Sequence, residues 1–150
     1  MNYNIQIKVI NKRLVKNLPN YATRGSAAVD LYACIDKSVV IKPFECVLVG
    51  TGIALNMQDV SIASILIPRS GLGHKKGLIL GNTVGLIDSD YQGEIMVSCF
   101  NRSQDDIIIT PNMRFAQMMF IPVLQPQFEV VEDFAKKTMR GTGCFGHTGY

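Results

Sequence analysis

Two carboxylates stand two residues apart in the stretch Gly81-Asn82-Thr83-Val84-Gly85-Leu86-Ile87-Asp88-Ser89-Asp90-Tyr91-Gln92-Gly93. Asp and Ser side chains bond their own backbone and stabilise tight bends, so Asp88-Ser89-Asp90 reads first as a turn. That explanation is sufficient for Asp90. Asp88 closes the apolar run 84–87, where a strand side chain can face a pocket, and a carboxylate there has the chemistry of a general base acting on water. Tyr91 adds a flat face for stacking on a sugar or base, although packing within a hairpin accounts for it equally well.

A second stretch, Pro68-Arg69-Ser70-Gly71, follows an apolar run and precedes Leu72-Gly73-His74-Lys75-Lys76-Gly77. The fixed φ of proline, free N–H groups in a turn, a hydroxyl and a guanidinium together offer donors to an anionic oxygen. A basic surface turn explains the same residues, and the spacing does not match a P-loop. In Arg114-Phe115-Ala116-Gln117 the arginine and glutamine are three residues apart, which puts them on opposite faces of a flat strand. His74 and His147 are lone histidines, so no zinc site is expected. Nothing in the spacing of Ser70, His74 and Asp88 supports a hydrolytic triad.

The elements that must position these groups are strands. Ile5, Ile7 and Val9 alternate with polar residues at the period of a half-buried strand. Further strand-like runs cover 28–33, 38–41, 46–52, 61–67, 94–100, 107–109, 115–121 and 128–131, separated by Pro, Gly, Asn or Asp. The segment 81–93 leading into 94–100 reads as a β-hairpin with Asp88 and Asp90 at its tip. Residues 60–64 and 72–76 could each form about a turn of helix. The expected fold is all-β, a sandwich or barrel, and the last eleven residues, 140–150, with four glycines, read as a flexible arm.

Composition sets outer bounds. The chain has 150 residues, 47% apolar and 18% charged, which is the profile of one globular domain spanning 1–150. Its 15 basic and 12 acidic residues are scattered, which argues against general nucleic-acid binding. The N-terminus lacks the apolar stretch of a secretory signal, and no run approaches the roughly 20 residues that span a bilayer. Cys34, Cys46, Cys99 and Cys144 form no C-x-x-C pair, so reduced thiols in a cytoplasmic protein are expected.

Five segments taken in order resemble the five motifs of the homotrimeric dUTPase family, most closely the bacterial type. They are Ala27-Ala28-Val29-Asp30-Leu31-Tyr32-Ala33, 68–71, 81–93, 114–117 and 140–149. The resemblance implies a jelly-roll-like subunit, a homotrimer with shared active sites, and hydrolysis of dUTP to dUMP and pyrophosphate. That activity would limit uracil in DNA and supply dUMP for thymidylate synthesis. In the family each site takes its first, second and fourth motifs from one subunit, its third from a neighbour and its fifth from the remaining chain.

By the same resemblance Asp88 activates the water that attacks the α-phosphorus, and main-chain groups around Asn82, Leu86, Ile87 and Asp88 read uracil beside Met96. Cytosine presents the reverse donor and acceptor pattern and would leave buried groups unpaired. A narrow hairpin would exclude the thymine methyl, and Tyr91 under the deoxyribose would exclude a ribose. Arg69, Ser70, Gly71 and Gln117 match phosphate-side residues, while Arg140 and Phe145 match the arm's phosphate-binding arginine and the ring that covers uracil. Asp30 matches the aspartate linked to the Mg²⁺ water shell. Mg²⁺ is expected to ride on the triphosphate rather than in a protein cage. Two departures fall in the arm: Cys144 stands where the family usually has glycine, which strains any φ > 0 there, and His147 occupies a position often held by serine. The rival readings are a dCTP deaminase of the same superfold, which lacks this hairpin and arm, and a non-enzymatic dUTP-binding trimer.

Overall fold

The computed structural model describes residues 4–144. Its elements are β1 (Gln6–Val9), β2 (Val29–Tyr32), β3 (Val39–Ile41), β4 (Cys46–Asn56), β5 (Ile62–Pro68), α1 (Ser70–Lys76), β6 (Leu78–Leu80), β7 (Gly85–Ile87), β8 (Glu94–Asn101), β9 (Ile107–Ile109) and β10 (Arg114–Pro122). They form two four-stranded antiparallel sheets, ordered β1-β4-β8-β6 and β2-β10-β5-β7, with a small β3-β9 ribbon. Strict alternation drives β8: Ile95, Val97, Cys99 and Asn101 are buried while the residues between them are half-exposed. Leu31, Leu66, Ala116 and Met118 of one sheet meet Val49, Ile53, Ile95 and Val97 of the other in one core, which makes a sandwich.

Asn101 is a buried polar group at the edge of that core, and its bonds are complete. Its Nδ2 donates to the carbonyls of Ile41 and Asp105 at 2.9 and 2.7 Å, and its Oδ1 accepts from the Ser103 N–H and hydroxyl. These bonds tie the end of β8 to the ribbon, as burial of an amide requires. Burial pushes the Cys99 thiol up to about 12, so it stays neutral and acts as a small apolar side chain. The four cysteines are unpaired.

Most expected strands are present, with three corrections. Residues 60–64 do not start a helix, because 62–64 enter β5 and lie buried between β10 and β7. Residues 72–76 do lie in a helix, which ends at Gly77 with φ of 77°. Residues 128–131 form no strand: Phe128 and Val130 are almost fully exposed and no edge among the described residues pairs with them. Alternation supplies one side of a ladder, and a strand also needs a partner. The third correction concerns 81–93. The strand that pairs with β8 is β6, through Leu80 opposite Cys99, while β7 crosses over and pairs with β5 of the other sheet, Leu86 opposite Ile65.

Candidate active site

The outer face of the β2-β10-β5-β7 sheet carries the charged groups. Along β5, Ser64 and Leu66 are buried while Ile65 and Ile67 are half-buried, and alternation puts Ala63, itself buried, on the same face as Ile65 and Ile67. Ile67 lies opposite Gln117, which lies opposite Asp30, and this row ends at the turn carrying Arg69.

Asp30 is the centre of that end. Arg69 Nε donates to its Oδ1 at 2.7 Å, and Arg114 Nη1 donates to its Oδ2 at 3.2 Å. Arg69 Nη1 also donates to the Arg114 carbonyl at 3.2 Å, so its guanidinium is held on two sides. Gln117 Nε2 donates to the Pro68 carbonyl at 3.0 Å, which orients its Oε1 as the spare acceptor. Arg114 and Gln117 therefore converge, against the flat-strand expectation. The cause is a bulge: the register runs from Arg114 opposite Tyr32 to Ala116 opposite Leu31, so Phe115 is an extra residue and parity flips beyond it. Two successive buried residues, Phe115 and Ala116, are the mark it leaves in the sequence.

Ser70 and Gly71 open α1 immediately beyond Arg69. No side chain caps this turn, and the first helical bond runs from the Gly73 N–H to the Arg69 carbonyl at 2.8 Å. The amides of Ser70 and Gly71 precede it and have no intrahelical acceptor, so they point away as donors. With two guanidiniums and one carboxylate beside them, this end of the sheet suits an anion with several oxygens.

Asp88 lies elsewhere. Ile87 is opposite Ser64, so Asp88 follows on towards Ala63, while Arg69 lies past the other end of β5. Six residues separate Ala63 from Arg69, roughly 20 Å at ~3.3 Å per residue. Within one copy of the chain the carboxylate and the anion site are too far apart to act on the same phosphate.

The region around Asp88 is built from backbone. β7 is an edge strand, so one rim of 85–87 presents N–H and C=O groups that no neighbouring strand among the described residues takes. The Tyr91 N–H closes the turn onto the Asp88 carbonyl at 3.2 Å, and Asp88 and Asp90 are both exposed. Tyr91 Oη donates to the Glu94 carbonyl at 3.1 Å, laying the phenol over Gly93, where an added Cβ would meet Oη at 2.4 Å. Glu94 Oε1 in turn accepts from the Gly52 N–H at 2.8 Å, anchoring the end of the segment to β4. Asn82 sits at the other end in a turn where Thr83 takes φ of 63°, and Met96 on β8 faces Gly50.

Among the described residues Arg140 bonds locally, donating to the carbonyls of Gly143 and Cys144 at 2.9 and 3.3 Å. In the described part of the arm Gly141 takes a positive φ of 53°. Phe145 and His147 lie outside the described residues. The exposed stretch starts well before 140: Leu124, Phe128, Val130, Phe134 and Met139 touch little of the rest of the described chain. Among the described residues no three His, Cys, Asp or Glu side chains converge on a metal position, and no helix is long and apolar enough to cross a membrane.

Residues 15–149 match the dUTPase family model. Over 145 residues, 97% of this chain, the sequence is 61% identical to the deoxyuridine 5'-triphosphate nucleotidohydrolase of Francisella tularensis subsp. novicida (strain U112), of which 98% is covered. Among solved structures, a dUTPase of Staphylococcus bacteriophage 80alpha with dUPNHPP superposes at TM-score 0.82 with 21% identity, covering 98% of this chain and 99% of that one. A mutant dUTPase from phage phi11 of S. aureus, described with a structural Mg(II) ion, superposes at 0.78 with 19% identity over 89% of this chain and 99% of that one. The two phage structures attest the fold, and the sequence matches carry the further conclusion: the chain belongs to the dUTPase family, enzymes that hydrolyse dUTP.

Proposed function

We propose that this chain hydrolyses dUTP to dUMP and pyrophosphate in sites shared between the copies of a homotrimer, with Asp88 of one copy activating the water that attacks the α-phosphorus. The observation that carries the reading is the separation along β5: the anion site around Arg69 and the carboxylate of Asp88 occupy opposite ends of one sheet face. A second copy placed against that face supplies the missing half to each. Ile65, Ile67, Met119 and Leu86 make the face apolar enough to be covered. The exposed apolar side chains of 124–139 give each copy a tail that gains by packing on another, carrying Arg140 and Phe145 towards a neighbouring site.

In this arrangement Arg69 and the amides of Ser70 and Gly71 hold the phosphates, and the free rim of Leu86, Ile87 and Asp88 reads the N3–H and O4 of uracil, with Asn82 and Met96 beside it. The Asp88 carboxylate can accept a hydrogen bond from a water held against it and draw off the proton as that water attacks. Tyr91, fixed by its bond to the Glu94 carbonyl, supplies a wall against the sugar. Mg²⁺ carried on the triphosphate would neutralise part of its charge. Each Asp30 oxygen holds one guanidinium and keeps a lone pair, and Gln117 keeps Oε1, so both can accept from the waters of that ion. The product dUMP would feed thymidylate synthesis and the loss of dUTP would keep uracil out of DNA. Free thiols fit a reducing cytoplasm.

A nucleotide panel tests the reading. With Mg²⁺ present, the purified protein should release pyrophosphate from dUTP and far less from dCTP, dTTP or UTP. Equal turnover of all four would overturn the assignment of base recognition to the β7 rim.

A further inference from the structure

The Asp30 carboxylate stands where the triphosphate would dock, and on its own it repels that ligand. Arg69 alone would only cancel it, leaving a neutral pair. Arg114 makes the difference: with its guanidinium on Oδ2 the three side chains carry a single net positive charge. Its carbonyl also receives Arg69 Nη1, so the same residue fixes Arg69 from its backbone and neutralises Asp30 from its side chain.

Stability does not explain this placement. The Arg114 side chain is 54% exposed, and an ion pair that open to water adds little to folding. The bulge at Phe115 costs regular ladder pairing, yet it alone brings Arg114 to the face of Asp30 and Gln117. We propose that Arg114 is a positioning residue of the triphosphate subsite, acting through Asp30 and Arg69 to keep the subsite positive and the Arg69 guanidinium aimed outward. The inference rests on reading this end of the sheet as the phosphate end. Because Arg114 meets Asp30 through one nitrogen rather than a fork, a lysine ammonium can take its place.

Steady-state kinetics of Arg114→Gln and Arg114→Lys test the role. Arg114→Gln should raise KM for dUTP about tenfold while kcat stays within about threefold, and should flatten the fall of kcat/KM with ionic strength. Arg114→Lys should restore KM to within about threefold of wild type. Inhibition by dUMP, which lacks the β- and γ-phosphates, should be unchanged in both variants. A wild-type enzyme active on dUTP whose Arg114→Gln variant keeps KM and salt slope overturns the role of Arg114 and leaves the proposed function standing. So does equal weakening of dUMP, which would mark a merely structural residue. Failure of the wild-type chain to turn over dUTP removes the phosphate reading and the inference with it.

Discussion

At one end of β5 the chemistry is tied together inside a single copy of the chain; at the other it is left open. Asp30, Arg114 and Gln117 come from two strands and Arg69 from the turn after a third, and four hydrogen bonds, one of them to the Pro68 carbonyl, tie them together before any ligand arrives. Asp88 is exposed, its turn closed by one backbone bond, and the strand before it has a free rim. On the proposed function, the contrast separates two kinds of recognition. An anion site needs fixed positive charge, which one subunit can preassemble. A site that reads a base with main-chain groups needs a strand edge kept from pairing, and such an edge is safe only when the assembly covers it.

The contrast makes the largest effect fall where the structure is least constrained. Asp88→Asn should lower the rate of pyrophosphate release by about a thousandfold, within the range for removing a general base, while leaving the melting temperature unchanged because the side chain is exposed. A large drop in melting temperature would show that Asp88 is structural. Deleting 140–150 should act less severely, lowering turnover by about a hundredfold through loss of phosphate-side and base-covering groups. Size-exclusion chromatography should show the same assembly, since the apolar stretch 124–139 remains; intact activity would confine the site to the sandwich. The smallest effect belongs between the two ends. Ser64 is fully buried opposite Ile87 and, among the described residues, its Oγ has no hydrogen-bond partner. Ser64→Ala should stabilise the protein by about 1 kcal/mol in urea unfolding with turnover kept, since an unpaired buried hydroxyl costs on that order. Destabilisation would reveal a partner for the hydroxyl.

The legible parts of the molecule are those where local pattern and long-range pairing agree. Ile95, Val97 and Cys99 alternate in the sequence and are buried in β8, and the ordered motifs placed Asp30 and Arg69 in one cluster through resemblance to a family. Three features resisted because their cause lies far away in the chain. The face of Arg114 depends on one extra residue, Phe115, measured against β2 some eighty positions earlier. The pairing of β7 with β5 instead of β8 is decided by which sheet edge is vacant. Residues 128–131 carry a correct strand period and find no edge within their own chain.

Subunit complementation tests the shared site most directly. Asp88→Asn and Arg69→Gln chains, each nearly inactive alone, are unfolded together in equal amounts and refolded. If each site joins the Asp88 end of one copy to the Arg69 end of another, about a quarter of the sites in randomly mixed trimers receive both intact halves, and that share of wild-type activity should return. Mixtures no more active than the separate variants would show that both groups act within one copy, contradicting the account.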